Sequence, residues 1–163
     1  MIRIIIDRLG SGSKDMFLKI DAVPNYSKNA DSYYLFDFLE IKDDRFTKLN
    51  LKDAQVLKYV AIELLKYWKE RISNIKKEKQ TFLPFDISDE YVGGLLLEKS
   101  KLGFIVKIVF TDQIHGYGIN KSNIERQLID KNIEFIFDGE KSWLIGEEAI
   151  INGLDWSLNE LEK

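Results

Sequence analysis

Between Leu57 and Ile75 the apolar residues recur at intervals of three and four: Leu57, Val60, Ala61, Leu64, Leu65, Trp68, Ile72 and Ile75. That period places one apolar stripe along one face of an α-helix and predicts a long amphipathic helix over about residues 51–79. Asn50 stands where an N-cap belongs, with Asp53 in the first turn, where the helix dipole favours an acid. Lys76, Lys77 and Lys79 fall in the last turn, and Pro84 lies beyond the end.

Strand signals flank this helix in adjacent pairs. Ile2–Asp7 is a β-branched run, and Met16–Ala22 follows after the turn signal Gly10-Ser11-Gly12-Ser13-Lys14, which predicts an N-terminal hairpin. Pro24–Asn29 reads as a loop, and the aromatic segment Tyr33–Ile41 as a third strand. After the helix, Phe82–Phe85 reads as an apolar link into the acidic segment Asp86–Glu90. Tyr91–Glu98 and Phe104–Phe110 then form a strand pair joined around Ser100–Gly103. Ser122-Asn123-Ile124-Glu125 has the form of a capping box opening a short helix to about Lys131. Ile133–Phe137 and Trp143–Ile145 read as a second hairpin turning at Asp138-Gly139. Ile150–Leu161 is a terminal helix, with Glu147-Glu148 at its start and Trp156 off its apolar stripe. Paired strands favour an α+β fold, an antiparallel or mixed β-sheet packed by one long helix and two shorter ones. At 163 residues, with no internal repeat or clear linker, the expectation is one globular domain over 1–163. An N-terminal subdomain up to about Gln80 is the alternative.

Composition removes several classes of chemistry. There is no cysteine, hence no disulfide, thiol nucleophile, Fe–S cluster or Cys-ligated zinc. No apolar run reaches the length of a membrane span, and MIRIIIDRLG is too short and too soon charged for a signal peptide. These features fit a cytoplasmic protein without membrane partners. The formal net charge is −3 and the pI about 5.3, which opposes attraction to nucleic acid. The distribution is uneven. Residues 42–81 carry eleven basic and six acidic groups, whereas residues 82–163 carry eight basic and fifteen acidic. The positive block reads as the solvated face of the long helix; the acidic second half can steer a basic partner.

Few residues offer catalytic chemistry. The Gly10–Lys14 loop has one residue between its glycines and Asp15 after its lysine, so it fails the phosphate-loop pattern. His115 is the only histidine, with Asp112 three residues before it and Tyr117 two after. An Asp can orient an imidazole and a Tyr can share a proton relay, which makes a pocket near Asp112, His115 and Tyr117 the alternative: a small enzyme or ligand-binding domain. Asp86, Asp89 and Glu90 form the densest carboxylate cluster, flanked by Phe85 and Tyr91. Calcium-loop spacing is absent, and the cluster reads as a capped turn, a contact surface for a basic partner, or an oxygen-rich metal site or catalytic carboxylate pair. No catalytic residue, metal ligand or cofactor is assigned.

The stretch Phe82-Leu83-Pro84-Phe85-Asp86-Ile87-Ser88-Asp89-Glu90-Tyr91-Val92-Gly93, followed by a strand pair, resembles segments of small bacterial toxin-immunity proteins and covers about a fifth of the chain. The resemblance implies a non-enzymatic, cytoplasmic inhibitor that occludes a basic site on a toxin. The expected contact residues are Asp86, Asp89, Glu90 and Tyr91, with Asp112, His115 and Tyr117 from the neighbouring strand end.

Overall fold

The computed structural model describes residues 1–9, 14–42, 53–75 and 80–163. Among them, two antiparallel sheets and four helices form an α+β fold. The first sheet has the order β1 (Ile2–Ile6), β2 (Met16–Ile20), β3 (Tyr26–Ala30). Its alternation is strict: Ile2, Ile4 and Ile6 lie opposite Ile20, Leu18 and Met16, and all six are buried. Helix α1 (Tyr33–Phe38) follows, then α2 (Ala54–Ser73). The second sheet has the order β4 (Gln80–Ile87), β5 (Val92–Ser100), β6 (Gly103–Thr111), β7 (Ile136–Ile145). Helix α3 (Ile124–Asp130) lies between β6 and β7, and α4 (Glu147–Glu162) closes the chain.

The long helix matches its sequence pattern where it is described. The whole apolar stripe from Leu57 to Ile75 is buried. Its cap is Asp53, whose carboxylate accepts from the Gln55 amide at 2.8 Å; Asn50 and Lys76–Lys79 lie outside the described residues. Trp68, fully buried, rests edge-on near Phe85 and donates from Nε1 to the Pro84 carbonyl at 3.0 Å. That carbonyl is available because Pro84 sits at a bulge on the edge strand β4, where a missing N–H costs no ladder bond.

Four local expectations are corrected. Tyr33–Ile41 is not a strand: Leu35 and Phe38, three apart, are the buried residues of α1. Its start is fixed by polar contacts, with Asp31 accepting from the Tyr33 amide and Asp15 accepting from both the amide and hydroxyl of Ser32. Tyr26–Ala30, expected in a loop, pairs along the length of β2 as an edge strand. Phe82–Phe85 is the middle of β4 rather than a link. The Ile133–Ile145 hairpin is instead the single strand β7. Its partner register jumps from Phe137 opposite Val109 to Ser142 opposite Lys107, so residues 138–141 loop out around Gly139 at φ 92°. Helix α3 forms as expected, but without the capping box: the Ser122 hydroxyl donates to Glu40, and Glu125 pairs with Arg71.

Helix α4 seals the free edge of β1. The Ile4 amide donates to Ser157 Oγ at 3.0 Å, and Ser157 Oγ donates to the Gly153 carbonyl at 2.9 Å. A Cβ on Gly153 would sit 2.2 Å from the Ile2 carbonyl oxygen, so only glycine permits this approach. Ser157→Ala would orphan the buried Ile4 amide and is expected to lower stability by about 1–3 kcal/mol in urea denaturation. A second expectation concerns Asp15, whose carboxyl is raised above 3.8, chiefly by burial and against the Ser32 bonds. Its contribution is full below that value and is lost as pH rises through the raised one. The stability difference between wild type and Asp15→Asn should therefore move in favour of the variant with rising pH across that window, then level off.

Candidate functional site

The β4–β5 connection is a tight turn built by Ser88. Its amide donates to the Tyr91 carbonyl at 2.9 Å, and its hydroxyl accepts from the amides of Glu90 and Tyr91, both at 3.2 Å. Asp89 and Glu90 at the tip are exposed. After β6 the chain forms a 3₁₀ turn at Gly116–Gly118, and the Gly116 amide donates to the Ser88 carbonyl at 2.9 Å. A Cβ at Gly116 would meet that carbonyl oxygen at 2.7 Å and the Tyr34 ring at 2.9 Å. Glycine is thus what lets the two turns dock and brings His115 and Tyr117 beside Asp89.

Helix α1 completes the surface. The Tyr34 hydroxyl donates to the Asp89 carboxylate, and this bond pushes the hydroxyl above its usual range. The Tyr34 ring lies between two others, edge-on to Tyr33 at 5.2 Å and to Tyr117 at 5.7 Å. Tyr33 is 48% and Tyr117 77% exposed, so two of the three rings present their area to solvent. Asp112 and His115 are also exposed. No hydrogen bond or ion pair joins them among the described residues, and the His115 side chain makes no capping bond.

The remaining expected contacts lie elsewhere. Asp86 is only 6% exposed. It accepts from the Tyr91 hydroxyl at 2.9 Å and lies 3.3 Å from the Lys28 amine, which also meets Asp138 at 3.0 Å. Burial works against the charge on Lys28, but the Asp138 bond and the Asp86 charge outweigh it and hold the amine above its usual range. Burial and the bond to Asp86 push the Tyr91 hydroxyl up to about 12. Lys28 thereby ties β3 to β4 and to the looped-out segment of β7, the two outer strands of the second sheet. Asp86 and Tyr91 fasten the fold behind the surface, while Asp89 and Tyr117 belong to it, and Glu90, Asp112 and His115 are exposed residues in the segments that carry it.

Sequence reasoning missed Tyr33, Tyr34, Lys28 and Asp138. Tyr34 meets its carboxylate partner across 55 positions, and Lys28 meets Asp138 across 110, so no local spacing could reveal either pair. Among the described residues, no group of three or more histidine or carboxylate side chains is arranged to hold a metal ion. None of their helices is long and apolar enough to cross a membrane.

Lys28→Met would leave the buried Asp86 without its counter-charge, and is expected to cost about 1.5–3 kcal/mol of stability. Tyr91→Phe should cost about 0.5–1.5 kcal/mol, and the double variant less than the sum, because both groups act on one carboxylate. Urea denaturation of the three variants measures the coupling.

No family model matches this chain, and no curated protein or solved structure does.

Proposed function

We propose that this chain is a protein-binding module of the immunity type, which occludes a basic site on a partner protein through the Tyr33–Tyr34–Tyr117 face and its acidic rim. One observation carries the reading: two exposed tyrosines are braced by a third, and Asp89 is bonded into the same cluster. Tyrosines held in fixed orientation supply contact area at little entropic cost, and such residues dominate the binding energy of interfaces. Asp89, Glu90 and Asp112 add negative charge around them, which steers a basic partner and speeds its approach. The segment resembling toxin-immunity proteins runs along β4, through the Ser88–Glu90 turn and into β5, and so delivers two of these acids. The exposed His115 takes the place of a further polar contact at the rim.

The test begins with affinity capture of the tagged protein from its native cells, eluted with rising salt. The captured partner is then measured against two variants. Tyr117→Ala should weaken binding by about 2 kcal/mol, mainly through faster dissociation. Asp89→Asn with Glu90→Gln keeps an acceptor for the Tyr34 hydroxyl while removing two charges. It should slow association by about tenfold at low salt and flatten the salt dependence. A partner whose affinity and association rate are unchanged by both variants would sink the assignment.

A further inference from the structure

Away from the tyrosine face, α2, α3 and the first residues of β4 border an open groove with two lobes. The first, of about 600 Å³, is polar and is lined by Tyr67, Glu70, Asn74 and Lys121. The second, of about 670 Å³, is apolar, with Phe82, Leu96, Leu128 and Phe135 in its walls. Arg71, Gln80, Thr81 and Glu125 belong to both lobes, so the Arg71–Glu125 ion pair stands at their junction. Spaces of this size accommodate small organic ligands.

Two donors there are left over. Arg71 gives one terminal nitrogen to Glu125 and the other to Thr81 Oγ1 at 2.8 Å, while its Nε–H is buried with no acceptor. One helical turn earlier, the Tyr67 hydroxyl is also buried and unpartnered, its ring edge-on to Phe38. Burial keeps that hydroxyl protonated, so it too can donate. Buried donors without acceptors are uncommon in folded proteins, and two on one face of one helix beside a groove define what would satisfy them: a group rich in acceptors. The charges narrow it further. With Glu125 swung away from Arg71, the charges of Arg71 and Lys121 against Glu70 leave one net positive charge, which suits a single negative charge better than a dianion. Glu125 is the more exposed member of its pair and can swing aside.

We propose that this groove binds an amphiphilic monocarboxylate. Its head accepts from the Arg71 Nε–H and the Tyr67 hydroxyl, and its apolar chain lies in the lobe of Phe82 and Phe135. The carboxylate supplies the acceptor that the Arg71 Nε–H lacks, in a charge-assisted bond.

Octanoate is the probe, with acetate as the head alone and 1-octanol as the chain alone. Titration of the ¹⁵N-labelled full chain is followed through the Arg71 Nε–H resonance and the amides of residues 125–135. Octanoate is expected to produce saturable shifts in both sets, at an affinity at least about tenfold above either control. Glu125→Gln, which frees Arg71 without removing it, should tighten octanoate binding severalfold, and Arg71→Met should abolish the saturable component. Should Arg71→Met prove unfolded, Glu125→Gln decides. Absence of saturation with octanoate overturns the proposal and leaves ordered water as the acceptor for both donors. So does equal binding of acetate or octanol, or an unchanged affinity in Glu125→Gln.

Discussion

Everything else in this fold hangs on the apolar face of α2. It touches both sheets, meeting β1 of the first and β4 of the second, and it also contacts α1 and α4. The buried stripe from Val56 to Ile72 is therefore the common wall of the core. Trp68, in its C-terminal half, makes the contact specific. Its ring fills space against Phe85, and its single donor is spent on the Pro84 carbonyl, beside the bulge of β4. A purely greasy stripe would permit the helix to slide along the sheet, whereas a buried indole with one acceptor fixes the register.

With α2 in place, the proposed binding surface lies at the periphery, on a short helix and two turns. The tyrosine face is assembled by α1, the β4–β5 turn and the 3₁₀ turn, held by one backbone hydrogen bond to Gly116 and one side-chain bond to Asp89. The Arg71 groove uses the opposite economy, drawing on the flank of α2 itself. Both arise where the core ends, and neither needs the core to deform.

What could be read in the chain alone follows the range of the interactions. The three-four repeat of α2, the alternation of β1 and β2, the β5–β6 pair and the C-terminal helix are local patterns, and each is legible. The errors came where a distant partner decides. Tyr33–Phe38 has the aromatic content of a strand, but Asp15 anchors Ser32 and turns the segment into a helix. Asp138-Gly139 has the chemistry of a hairpin turn and does turn the chain, yet β6 pairs with the residues on both sides of it. For the surface, Asp89 and Glu90 and the group Asp112, His115 and Tyr117 stand out as local clusters, whereas Tyr34, which joins Asp89 to Tyr117, is set by tertiary packing. Asp86 looked equivalent to Asp89 in sequence; three residues along a strand separate a buried tether from an exposed rim.

The looped-out segment of β7 has a consequence for how this molecule behaves in a crowded solution. A four-stranded sheet has two outer strands on which a foreign chain could lay down another. On one of them Pro84 lacks a donor and a bulge breaks the spacing; on the other, residues 138–141 leave the plane midway along the strand. Each rail is broken partway along its strand. The second sheet thus carries an irregularity on each of its outer strands, and these work against a foreign strand pairing there.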